Sequence, residues 1–253
     1  MAVTQPASSP VEPRAATTRN PYSVLPNWLY PTFVVVALSL FALYAAWVVL
    51  FFKDGRFGPY LSPFNSPEFR LTVAGFAIPT GIWIFWIPLV FRFTCYYYRK
   101  AIFRSYLWHP RSCAVQEPSR GTYQGETRLF VFNNLHRFTF YIVVLQVAVL
   151  WYDAIAAFIS NGAFHFGLGT ALMLVNVVCL SGYTFGCHAF RHLAGGGLDC
   201  FSGHRARYRL WKGVTVLNIR HDRWAWVSMF TVWGVDLYIR LLQLGVLPRG
   251  AWN

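Results

Sequence analysis

The sequence predicts an all-α integral membrane protein: a bundle of five transmembrane helices with its N-terminus in the cytoplasm. Three observations predict it. The 253 residues are 56% hydrophobic and only 12% charged, where a soluble domain carries about 25% charged residues. Five apolar runs recur along the chain, each long enough to cross ~30 Å of hydrocarbon at ~1.5 Å per residue. Lys and Arg collect in two of the connecting segments, as the positive-inside bias demands of cytoplasmic loops. The formal charge of +13 is therefore a topology signal, and no nucleic-acid partner is inferred from it.

Residues 1–27 are polar and rich in Pro, Ser, Thr and Ala. They lack the apolar core of a signal peptide and read as a cytoplasmic tail. The rest, 28–253, reads as one transmembrane domain. Its first helix spans about 28–52, with Trp28, Tyr30 and Trp47 as interface anchors. A turn-rich segment with Gly55, Gly58, Pro59, Pro63 and Pro67 follows. The second helix is expected over about 71–104, kinked at Pro79 and Pro88, with Cys95 just inside its basic end. A basic loop, 105–128, carries His109 and Cys113. The third helix, about 131–159, opens on Asn134-Leu135-His136-Arg137. The fourth, about 164–194, ends on Cys187-His188-Ala189-Phe190-Arg191-His192 and a run of glycines. A second basic loop, 195–222, leads to the fifth helix, about 224–247, in which Asp236 and Arg240 are spaced to neutralise each other at i, i+4.

The basic loops follow the second and fourth helices, which sets the orientation. Cys95, His136, Cys187, His188 and His192 then all lie near the cytoplasmic ends of their helices, with Cys113 in a loop on the same side. His188 and His192 share one helix face, one turn apart, at a spacing that lets two imidazoles reach one metal. Thiol and imidazole together, beside lipid, point to a redox metal rather than a structural one. Polar groups at membrane depth are costly and usually functional. The five cysteines are an odd number, and none falls in an outer loop; reduced thiols or metal ligands fit better than a disulfide scaffold.

Four stretches carry a family resemblance: Thr94-Cys95-Tyr96-Tyr97-Tyr98-Arg99, Gly125-Glu126-Thr127-Arg128, Asn134-Leu135-His136-Arg137, and Cys187 to Gly196. The chain resembles the single-chain, five-helix membrane anchors of succinate dehydrogenase and fumarate reductase, the cytochrome b-like subunits of respiratory complex II, in their actinobacterial form. The resemblance implies a multi-pass subunit of the cell membrane. A flavoprotein and an iron–sulfur subunit would dock on its cytoplasmic loops, and electrons from succinate would pass to a quinone. It leaves a higher oligomer open.

Anchors of this family with two haems hold each between histidines of different helices. Here the first helix has no histidine, and a distal haem has no ligands. One haem b could still use His136 with His188 or His192. The mixture of cysteine and histidine suits a Rieske-type [2Fe–2S] cluster, which takes two Cys on one iron and two His on the other. The candidate ligands are Cys95, Cys113, His136, Cys187, His188 and His192, of which four suffice. For the quinone, Trp28, Tyr30, Arg92, Tyr96 and Arg137 offer apolar walls and polar groups near the cytoplasmic interface. Arg137 comes first, because a fixed positive charge favours negative charge on a reduced quinone oxygen. A stand-alone membrane metalloenzyme lacks a carboxylate beside the histidine pair to act as base. A transporter is disfavoured by the absence of an internal repeat.

Overall fold

The computed structural model describes residues 26, 28–51, 54–68, 71–73, 76–109, 130–160 and 162–247. The tail and most of the first basic loop, Cys113 included, lie outside the described residues.

Helix α1 (Leu29–Phe51) is 23 residues without a charged side chain. Pro31 sits in its first turn, where a missing N–H leaves no hydrogen bond unmade. Two short antiparallel pairs follow, β1 (Arg56–Phe57) with β2 (Tyr60–Leu61) and β3 (Leu71–Val73) with β4 (Phe76–Ile78). Then come α2 (Thr80–Ile84), α3 (Trp86–Thr94) and α4 (Tyr96–Tyr106), and after the first basic loop α5 (Phe130–Ala156). A third pair, β5 (Ile159–Ser160) with β6 (Ala163–Phe164), leads to α6 (Leu168–Phe185), α7 (His188–Gly195), α8 (Arg205–Ile219) and α9 (His221–Gln243).

Among the described residues, four helices are long and apolar enough to cross a membrane: α1, α5 from Asn134, α6 and α9. Their outward side chains are apolar, including Leu43, Leu145, Val175 and Leu237, as contact with lipid requires. The expected second helix, 71–104, is not continuous. Its first residues pair as β3 and β4, and the helical part is broken at Phe85 and again at Cys95. An apolar run does not by itself separate strand from helix, and Ile78, which precedes Pro79, is pushed out of helical geometry. The expected fourth helix, 164–194, likewise divides. Gly186 and Cys187 separate α6 from α7, and residues 163–164 are extended.

The second basic loop, 195–222, is largely helical rather than irregular. Val214 of α8 is buried, and Trp211 on the same face packs beneath the Arg191 guanidinium, 4.8 Å from ring centre to charge. Arg207 donates to the carbonyls of Ala194 and Gly196 at 3.1 and 2.8 Å, which caps α7. Helix α9 begins at His221, three residues earlier than expected.

Helices α6 and α9 pack most closely. A Cβ on Gly182 would lie 2.6 Å from the Trp224 ring, so only glycine permits this approach. At the opposite end from the cysteines, α9 carries a buried ion pair. Arg240 Nη2 lies 3.3 Å from Asp236 Oδ1, as the i, i+4 spacing led one to expect. Tyr44 of α1 donates to Asp236 Oδ2 at 2.6 Å and Ser62 to Oδ1. Arg240 also donates to Asn65 Oδ1, at 3.2 Å, and to the Asp54 carbonyl. This network ties residues 54–65 to α1 and α9. Replacing Asp236 by Ala leaves the buried guanidinium without its counter-charge and should cost about 3–5 kcal/mol. Thermal unfolding of the purified protein in detergent should show it as a lower midpoint.

Candidate functional site

Cys95 and Cys187 occupy equivalent places in two different parts of the chain. Each leaves helical geometry, at φ −62°, ψ 129° and φ −72°, ψ 154°, and each is the first flanking residue of a new helix. A residue there faces the free N–H groups of the helix it opens. Phe190 N donates to Cys187 Sγ at 3.3 Å. Both side chains are buried, Cys95 at 2% and Cys187 at 0% exposure, in one packed cluster with Phe91, Tyr98 and Tyr183.

Two imidazoles meet this cluster. His136, near the start of α5, is buried; its Nδ1 lies 3.0 Å from Thr94 Oγ1, the residue before Cys95. Its ring stacks on Phe91 at 4.5 Å and 13°. His221 opens α9. Its Nε2 lies 3.4 Å from Cys95 Sγ, and its ring stacks on Tyr183 at 4.9 Å and 14°. Phe91 and Tyr183 meet edge to face at 5.6 Å. The Nδ1 of His221 is buried with no hydrogen-bond partner, a state that a buried nitrogen normally avoids unless a metal, ion or water takes it. Two thiols and two imidazoles from four separate segments thus gather at one depth.

Of the expected ligands, the structure brings Cys95, Cys187 and His136 together. It adds His221, which the sequence reading left at the end of a charged loop; the signal was a histidine next to an apolar run whose start had been set too late. His188 and His192 face one another, Nε2 to Nε2 at 3.0 Å, and both are exposed on α7. Burial, then the neighbouring His192 and Arg191, hold His188 below the usual imidazole pKa. Cys113 lies outside the described residues.

Among the described residues, no three His, Cys, Asp or Glu side chains converge as the ligands of a single ion. A two-iron cluster asks for something different, a pair of ligands at each of two irons. The donor types, their burial, the helix-end position of the sulfurs and the unpartnered His221 nitrogen fit such a group. The cavity beside Phe91 and Tyr183 holds about 90 Å³.

Of the expected quinone contacts, Arg92 alone sits against this group. Its guanidinium carbon lies 4.7 Å from the Tyr183 ring centre, and it donates to Ser228 Oγ and the Ala225 carbonyl at 3.0 and 3.2 Å, and to Tyr98. It also lines a 300 Å³ apolar groove with Leu38, Phe41, Leu89, Tyr98, Tyr106 and Met229, between α1, α3, α4 and α9. Trp28, Tyr30 and Tyr96 are more than half exposed. Tyr30 shares a 3.1 Å hydrogen bond with Tyr97, and the Lys100 ammonium lies over the Tyr96 ring at 5.3 Å. Arg137 is exposed on α5. None of these four lines the groove beside Arg92.

A search of curated protein sequences finds no match. Among solved structures, the chain is similar to a chain of the Mycobacterium smegmatis Sdh1 complex in the apo form, with a TM-score of 0.78 and 37% identity over 95% of this chain and 97% of that one. The family model of the actinobacterial succinate dehydrogenase subunit SdhC matches residues 29–245. That match runs from the first residue of α1 to beyond the end of α9, and the chain belongs to the actinobacterial succinate dehydrogenase SdhC family.

Proposed function

We propose that this SdhC chain is both the membrane anchor and the last electron relay of a succinate:quinone oxidoreductase in the cell membrane. In this reading the broken segment α2–α3–α4 completes a fifth crossing, the N-terminus is cytoplasmic, and the flavoprotein and iron–sulfur subunits dock over α7, α8 and the first basic loop. The exposed Arg205, Arg209 and Lys212 of α8 supply a basic docking surface there. Cys95, Cys187, His136 and His221 are the residues that would hold a Rieske-type [2Fe–2S] cluster. When bound, such a cluster supplies a one-electron relay at a potential above that of all-cysteine clusters.

The observation that carries this reading is the gathering of two cysteines and two histidines in one buried site, with Cys95 Sγ 3.4 Å from His221 Nε2. The surrounding residues do the rest. Phe91 and Tyr183 fix the two imidazole planes by stacking. Thr94 sets the orientation of His136 through Nδ1, as outer-shell partners of metal-binding histidines do. The packed aromatic rings exclude water. The apolar groove admits the quinone from the lipid side, and Arg92 holds the oxygen that gains negative charge as the ring is reduced. Succinate oxidation on the flavoprotein releases two electrons and two protons, and the quinone takes up two of each to become quinol.

Substitution of His221 by Ala in the assembled complex should remove the low-temperature electron paramagnetic resonance signal of the reduced two-iron cluster. Quinone reduction should go with it, while succinate-dependent reduction of a soluble dye by the partner subunits continues. A full signal in this variant would falsify the ligand assignment, and a Soret band with no cluster signal would favour the single-haem reading. Substitution of Arg92 by Gln removes one charged hydrogen bond of ~1.5–3 kcal/mol. Steady-state kinetics should show kcat/KM for quinone falling by about tenfold or more with the cluster signal retained.

A further inference from the structure

We propose that the cavity beside Phe91 and Tyr183 is a water-binding site, in which Gln146 and Thr184 hold ordered water against the Arg92 guanidinium. The proposal rests on the placement of Arg92 and stands whether or not the buried cysteines and histidines hold iron. Gln146, Thr184 and Arg92 line this cavity among largely apolar walls. Gln146 lies near the middle of the apolar span Asn134–Ala156 and is half-buried. Thr184, in the last turn of α6, is 1% exposed. Neither the amide nor the hydroxyl has a protein hydrogen-bond partner among the described residues. Polar groups in such positions are normally met by protein or by ordered water, and here the space beside them is the cavity.

The guanidinium has donors to spare. Its Nη1 hydrogens go to Tyr98 and the Ala225 carbonyl, and one Nη2 hydrogen goes to Ser228. The Nε–H and the second Nη2–H remain. No ion pair neutralises Arg92 among the described residues. Charged side chains within a membrane bundle keep either protein partners or a water-filled cavity. Arg92, Phe41 and Leu89 line both this cavity and the groove between α1, α3, α4 and α9, so the guanidinium stands between two spaces. The cavity holds about 90 Å³, and a water needs roughly 10–15 Å³ and two to four polar partners. The amide offers donors and an acceptor, the hydroxyl either role, and the guanidinium donors. A cavity with apolar walls alone stays dry; these three groups distinguish this one. Water there solvates the charge from within and leaves the groove side of Arg92 to an arriving oxygen.

The test is X-ray radiolysis of the intact complex, read by peptide mass spectrometry. Hydroxyl radicals formed from bound water oxidise the side chains that touch it, buried ones included. Val147 lines the cavity, and Val177, also buried, does not; the two compare like with like. Val147 should be oxidised severalfold faster than Val177. Gln146→Leu and Thr184→Val remove the amide and the hydroxyl at similar volume, and each should bring Val147 down toward the rate of Val177. Succinate-dependent dye reduction by the partner subunits confirms that each variant is assembled, and this readout requires neither the cluster nor a bound quinone. Equal oxidation of Val147 and Val177 in the unsubstituted complex means a dry cavity and overturns the proposal. Undiminished oxidation of Val147 in both variants overturns it as well, because the water is then held by other groups.

Discussion

The structure depends on two helix breaks, at Cys95 and at Gly186–Cys187. Where a helix stops in a packed interior, its free N–H and C=O groups have no water to bond, and each one left unmet costs several kcal/mol. Both breaks are closed from within. Cys95 N bonds back to Phe91 O and Arg92 O, and Arg99 N takes the Cys95 carbonyl. Thr94 Oγ1 turns onto the Val90 carbonyl at 2.8 Å. At the second break Asn218 donates to Gly186 O at 2.8 Å, and the Cys187 sulfur itself accepts from Phe190 N. Breaks that carry so many local partners are built features. Each delivers a cysteine into a packed aromatic interior, which a continuous helix would deliver only by spending a whole face on it.

Two arginines, buried Arg240 and half-buried Arg92, show how one residue type serves opposite ends of the bundle. Arg240 is neutralised by Asp236 and closes the polar network that fastens residues 54–65 to the helices. Its role is complete within the chain. Arg92 is held differently, by a phenol, a hydroxyl, a backbone carbonyl and two aromatic faces. None of these carries a full negative charge. Arg92 also lines the apolar groove between α1, α3, α4 and α9. The contrast separates a cation paired within the chain from the one that the proposed function turns to the quinone.

Much of the fold was legible because lipid enforces a simple rule on composition. The apolar runs of α1, α5 and α9 were found within a few residues, and that of α6 was drawn too long at both ends. What was not legible lay where that rule is silent. Residues 71–78 are as apolar as a helix, but a proline and a short apolar run let them pair as strands. The segment 205–219 is so basic that its charge hid a helical face, although Trp211 and Val214 fall at the spacing of one. The breaks at Cys95 and Gly186 have no strong signal: neither follows a proline closely, and they are maintained by side chains such as Asn218 that are distant in sequence.

The site was legible in kind but not in membership, and the reason is geometric. Consecutive residues at a helix start point about 100° apart around the axis. Once Cys187 is turned inward, His188 is carried outward, and His192, one turn on, goes with it. Adjacency in sequence, which made the Cys187-His188 pair conspicuous, is thus an argument against joint ligation. Ligands of a buried group in a helical bundle are better sought one from each helix, at a common depth. By that criterion Cys95, His136 and Cys187 fill three of the four segments around the site. The fourth donor in the proposed reading comes from the start of α9, where His221 Nε2 lies 3.4 Å from Cys95 Sγ.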